Sequence, residues 1–261
     1  MDEVRAGSWL ELQELLFGDS WNDELALHRS NFAYRGHSDA AKGLNTRLVR
    51  LGGDPRELER QLMRNFRKYA ASDAVPRDTP WDWLALGQHH GLPTRLLDWT
   101  YSPYVALHFV TQSRRRFDRD GVVWSLDYVR THALLPDRLR ELLHDEGANV
   151  FTTELLTIAS PDLTNLEDLE ADDFVLFVEP PSFDARIVNQ YALFSLVSRP
   201  DGELDEWLEA HPDLVRRIIV PAELKAEVRD KLDQANLTER VLFPGLDGLS
   251  RWLTRYYAPR R

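Results

Sequence analysis

The run Gln88-His89-His90-Gly91-Leu92-Pro93-Thr94-Arg95-Leu96-Leu97-Asp98-Trp99-Thr100-Tyr101-Ser102 crowds imidazoles, a guanidinium, a carboxylate and hydroxyls into one short stretch. Neighbouring histidines point about 100° apart on a helix and to opposite faces of a strand, so His89 and His90 are poor joint ligands for one metal. In a last helical turn both would stabilise the negative dipole end, and His90 could instead face a ligand. Upstream, Arg35 precedes Gly36. A guanidinium there can fork onto a carboxylate or phosphate, or pair with Asp39 or Asp98. Gly36 lets something approach the backbone. Thr100, Tyr101 and Ser102 fall between a strand and a helix, where free N–H groups favour an anion. Ser102 equally suits the N-cap before Pro103. Downstream, 186–190 read as the start of a strand, with Arg186, Val188 and Gln190 sharing one face, either toward a pocket or along a polar edge.

These groups need a scaffold. The Ser8–Glu11 capping box predicts a helix over 8–17. Residues 31–36 alternate and are rich in aromatics, so a short strand should end at Gly36. Asp54-Pro55, Thr79-Pro80 and Ser102-Pro103 each open a helix. Gly91 fits a left-handed C-cap. Thr94–Trp99, Gly121–Tyr128, Phe174–Glu179, Arg186–Val197 and Arg217–Val220 read as strands, and the stretches 136–146, 201–210, 221–235 and 244–257 as helical or ending in a helix. Strands and helices mix without strict βαβ order. The expectation is α+β, one compact domain with a mixed or antiparallel sheet flanked by helices. Its core spans about 31–200, with the N-terminal helix and a helical wrap over about 203–261.

Composition narrows the chemistry. The formal net charge is -11, from 43 acidic and 32 basic residues, which disfavours broad nucleic-acid binding. There are no cysteines, so disulfides, thiolate nucleophiles and Cys-ligated zinc are excluded. The cluster Arg114-Arg115-Arg116 with Arg119 reads as a solvated helix end. The opening residues lack the pattern of a signal peptide, and no apolar run approaches bilayer-spanning length. A cytoplasmic protein without membrane contact is expected.

Tyr34-Arg35-Gly36, the run 88–100 with Ser102-Pro103, Ala106-Leu107 and Phe109, then Arg186-Ile187, Gln190 and Phe194, and finally Leu242–Leu249 resemble the signature blocks of the FRG domain family. Ala192 departs from a Gly common there. The same residues are similar, more weakly, to toxin-type ADP-ribosyltransferases. In those, an aromatic-Arg-Gly strand precedes a Ser-Thr-Ser element and a helix of pattern A-x-x-F, here Ala106 to Phe109. That resemblance implies the corresponding fold, NAD as substrate without a metal, and a macromolecular acceptor of protein or nucleic acid. It also implies the setting of an intracellular toxin or antiviral effector, which an antitoxin could restrain. Arg35, Gln190 and His90 would be catalytic. Arg35, Gly36, Thr100, Tyr101, Ser102 and Tyr104 would hold NAD. Cleaving the nicotinamide–ribose bond builds positive charge on the ribose, which calls for a carboxylate. Gln190 stands where the resemblance puts Glu, so either Gln190 suffices, Glu179 or Glu154 moves in, or transfer is lost. Two rival expectations need no transfer. One is a nucleotide- or modified-base-binding module stacking on Trp81, Trp83 and Trp99. The other is a nuclease or hydrolase acting through His89 or His90.

Overall fold

The computed structural model describes residues 2–23, 25–70 and 74–259. The chain opens with strand β1 (Asp2–Arg5) and helix α1 (Trp9–Phe17). Ser8 Oγ accepts from the Glu11 N–H at 3.2 Å, and the Glu11 carboxylate reaches back to the Gly7 N–H at 2.8 Å. A hairpin of β2 (Trp21–Asn22) and β3 (Leu27–His28) leads to β4 (Phe32–His37). Then come the one-turn α2 (Arg47–Arg50) and the long α3 (Pro55–Tyr69), opened by Asp54 as expected. Thr79 caps α4 (Pro80–His89), and Gly91 follows its end at φ 82°. β5 (Leu97–Thr100) and α5 (Pro103–Thr111) complete the first half.

The second half contributes β6 (Gly121–Asp127), α6 (Tyr128–His132) and α7 (Asp137–Asp145). β7 (Phe151–Thr152), α8 (Thr153–Ala159), α9 (Leu163–Glu167) and β8 (Val175–Glu179) follow. α10 (Ala185–Asn189), β9 (Ala192–Val197) and α11 (Leu204–Ala210) precede β10 (Val215–Val220). The chain closes on α12 (Lys225–Gln234), α13 (Glu239–Leu242) and α14 (Leu246–Tyr257).

Eight strands form one sheet in the order β1-β10-β6-β4-β5-β9-β8-β7. Its interior pairs are antiparallel, and the two edge pairs, β1–β10 and β7–β8, are parallel. The fold is therefore α+β with a mixed sheet. Alternation along β4 sends Ala33 and Tyr34 into different cores. Tyr34 packs with Leu12 and Leu16 of α1, Leu107 and Val110 of α5, and Val228 of α12. Ala33 lies in a cluster with Trp99, Trp124 and Leu204. A third core gathers Trp81 and Trp83 with α7, α8 and one face of β8 and β9, through Leu176, Val178, Phe194 and Leu196. No described helix is long and apolar enough to cross a membrane.

The expected strand over 186–197 is not continuous. Asp184 accepts from the Arg186 and Ile187 N–H groups at 2.8 and 3.2 Å, which caps α10 and turns Arg186 to Asn189 into a helix. Tyr191, at φ 48°, breaks that helix before β9 begins. Arg186, Val188 and Gln190 therefore do not share a strand face.

Gly36 has a packing task beside the one expected. A Cβ there would lie 1.9 Å from the Ala106 carbonyl oxygen. On its Cβ side, what approaches its backbone is α5. Gly36→Ala should lower stability by about 3 kcal/mol, because backbone cannot yield as a side-chain tip can. Denaturant titration checks this, and an unchanged midpoint would refute the packing argument.

Candidate functional site

β4 and β5 share a single paired position, Tyr34 opposite Thr100. Beside this junction lies a cavity of about 360 Å³. It is walled by Arg35, Gly36 and His37 of β4, by 96–100, by α2, and by Gln190 with the start of β9. An outer hollow of about 460 Å³ adjoins it and shares Arg47, Gln88, His89, Asp98 and Arg186. The 243–251 segment, with Phe243, Asp247 and Arg251, closes the outer side.

The inner wall is strongly cationic. Arg35, Lys42, Arg47, Arg50 and Arg186 line it against one carboxylate among the described residues, Asp98. Arg35 donates through Nε to His37 Nε2 at 3.1 Å and through Nη1 to the Asp98 main-chain oxygen. Its nearest carboxylate contact is Asp98 Oδ2 at 3.9 Å. Asp39, the other partner considered, is held by Arg119 and Arg116 at 2.8 and 3.4 Å. Those two arginines are therefore paired rather than simply solvated. Arg47 donates to the Gly91 oxygen at 3.1 Å and Arg50 to the Asn45 oxygen. Arg186 donates to the His89 oxygen at 3.2 Å and lies 5.4 Å above the Phe243 ring, while its Nε is buried without a partner among the described residues.

The four arginines rest on carbonyls, an imidazole and a ring face, without close counter-ions among the described residues. Burial, then the neighbouring Arg50 and Arg47, pushes the Arg35 guanidinium below its ordinary value against the pull of Asp98. Burial and the Arg35 charge lower His37 to about 3, so it stays neutral and presents Nε2 as an acceptor.

The expected site residues divide. Arg35, Gly36, Thr100 and Gln190 reach the inner cavity, and the exposed His90 lines only the outer hollow. Thr100 Oγ1 donates to the Gln190 main-chain oxygen at 2.7 Å, while Gln190 Nε2 donates to the Leu242 oxygen at 2.8 Å. That amide therefore ties α10 to α13. Tyr101, Ser102 and Tyr104 line neither hollow. Tyr101 donates to Glu179 at 2.8 Å, and burial with that carboxylate raises its phenol. Tyr104 donates to Gln13 at 2.5 Å, and Ser102 caps α5 by accepting from the Val105 N–H at 3.4 Å. Their hydroxyls serve the fold.

Of the tryptophans proposed for stacking, Trp81 and Trp83 line neither hollow and Trp99 reaches the inner cavity, and each indole N–H has a partner. Trp81 donates to the Ser160 oxygen at 2.7 Å, Trp83 to Asp78 at 2.7 Å and Trp99 to Ser195 at 2.8 Å, and all three rings are buried. His89, by contrast, meets Asp184 through Nε2 at 2.8 Å on the wall of both hollows. Burial works against the Asp184 charge, yet the His89 bond holds that carboxyl below its usual range.

Sequence reasoning missed Lys42, Arg47 and Arg50. Arg47 and Arg50 stand one helical turn apart after Thr46, which caps α2, so the pair could have been noticed. Among the described residues no group of three or more His, Asp or Glu side chains could hold a metal.

A family model, the FRG domain, matches residues 30–119. No curated protein and no solved structure matches the chain. The matched segment runs from before β4 through α5 and so supplies Arg35, α2, the 88–100 run and Asp98, while α10, β9 and 243–251 complete the cleft from beyond it. Over residues 30–119 the chain is similar to the FRG domain family.

Proposed function

We propose that the cleft binds a nucleotide through its phosphates, and that the nucleotide is NAD, used to modify a macromolecule in the manner of an ADP-ribosyltransferase. One observation carries the phosphate reading: five cations line one cavity of a chain with formal net charge -11, and no carboxylate among the described residues comes closer to any of them than 3.9 Å. Fixed guanidinia bind phosphate through charge-assisted, often bidentate hydrogen bonds. Two adjoining hollows of about 360 and 460 Å³ suit an elongated ligand.

Calorimetry with NAD tests this. The double variant Arg47→Ala/Arg50→Ala should weaken NAD binding by about 100-fold or more, since each of the two contacts to phosphate contributes roughly 1.5–3 kcal/mol and every 1.4 kcal/mol is about tenfold. Both side chains are exposed and bond only carbonyls, so the melting temperature should hold. No heat with NAD, or equal affinity in the double variant, would refute the reading.

The His89–Asp184 pair supports a second reading, in which a carboxylate-oriented imidazole activates water for hydrolysis. His89→Gln should abolish hydrolysis of a phosphorylated substrate in that case and leave NAD-dependent transfer intact in the other.

A further inference from the structure

We propose that Asp98 grips the ribose of the ligand, so that the cleft takes a phosphorylated ribose rather than phosphate alone; this rests on the nucleotide reading above. β5 alternates, with Leu97 and Trp99 buried in the core and Asp98 exposed between them. Its side chain is 62% exposed and lines both hollows. Arg35 donates to the main-chain oxygen of Asp98 rather than to its carboxylate. The carboxylate oxygens therefore have no hydrogen-bond donor among the described residues.

A carboxylate only accepts hydrogen bonds, and it repels a phosphate held by the neighbouring cations. The part of the ligand that meets Asp98 must therefore offer donors. The vicinal hydroxyls of a ribose offer two, matched to two oxygens. Asp98 also supplies the charge that Gln190 lacks. The other carboxylates considered stand elsewhere: Glu179 is bonded to Tyr101 and Glu154 lies 3.5 Å from Arg77, and neither lines the cleft.

The test compares inorganic pyrophosphate with ADP-ribose by calorimetry on the full chain, in wild type and Asp98→Asn. Asn keeps the size and removes the charge. ADP-ribose affinity should fall about tenfold or more, while pyrophosphate affinity stays level or rises. Equal weakening of both would make Asp98 a positioning residue for Arg35 and overturn the assignment, as would no change in either. Pyrophosphate binding without any ADP-ribose binding would overturn it while leaving phosphate recognition intact. Failure of both ligands on wild type would overturn the nucleotide reading, and the assignment with it.

Discussion

Arg95→Ala should lower the free energy of unfolding by about 3–5 kcal/mol, a large share of the roughly 5–15 kcal/mol that holds a domain folded. The Arg95 side chain is 3% exposed, beside Glu59 at 4% and Glu167 at 6%. Its Nε donates to both Glu59 oxygens at 3.0 and 2.9 Å, and Nη2 donates to Glu59 and Glu167 at 2.5 and 3.0 Å. Nη1 donates to the Ser198 oxygen at 2.9 Å. Burial opposes the charge, yet Glu59 and then Glu167 hold the guanidinium above its ordinary value. One side chain thus joins α3, α9, the approach to β5 and the end of β9. Truncation leaves two buried carboxylates that lose their shared guanidinium, with Arg56 on Glu167 and the residue 95 main-chain N–H on Glu59 as the compensation among the described residues. Urea titration reads the loss. Pairing the change with Glu59→Leu should recover part of it, because one stranded charge is then gone. A single variant within 1 kcal/mol of wild type would contradict this account of the buried cluster.

Arg95 also marks what could be read from the chain alone. It stands three residues before Asp98 in one dense run, yet Arg95 is architecture and Asp98 faces the cleft. Residue type cannot separate them; only burial and partners do. Local signals fared well where they act locally. Asp54, Thr79 and Ser102 each cap the helix that their Pro opens. The strands around Arg35 and over 121–128 were legible from alternation. The 186–197 stretch was not, because Asp184 and the left-handed Tyr191 override a period-2 pattern. β1 and β7 are four and two residues long and take their conformation from β10 and β8, so no periodicity could announce them. The pocket cations Lys42, Arg47 and Arg50 lie in and before a four-residue helix, and gain meaning only when β4 and β5 part beside them.

Acid should unfold the protein well above the carboxylate range. Three histidines carry the effect. His132 accepts the Phe177 N–H at 2.8 Å on Nε2 while Nδ1 faces the Asn149 oxygen at 2.9 Å. His108 accepts from Arg229 at 2.9 Å on Nδ1, and His37 from Arg35 at 3.1 Å on Nε2. Each uses a ring lone pair that protonation would destroy. Burial brings His108 and His132 to about 4, aided at His108 by Arg229, and burial with Arg35 brings His37 to about 3. The sign follows directly. Above an unfolded pKa of about 6.5 these rings are neutral in both states, and stability is complete. As pH falls, the unfolded chain takes protons that the folded one refuses, so stability drains away until the folded values are reached. With about three protons taken up on unfolding near pH 5, the slope is on the order of 4 kcal/mol per pH unit. Carboxylates held low by partners, such as Asp39 by Arg119, lose their contribution only below roughly pH 4, so the two windows separate. Urea midpoints at pH 8, 6 and 5 measure this, with a steep fall expected between the last two. His132→Gln, whose side-chain oxygen can still accept from Phe177, should flatten the slope by about a third. A midpoint level from pH 8 to 5 would show that these rings protonate in place. His37 stays neutral across this window in the folded chain, so its lone pair keeps aiming Arg35 and the cleft should hold its phosphate affinity until the protein unfolds.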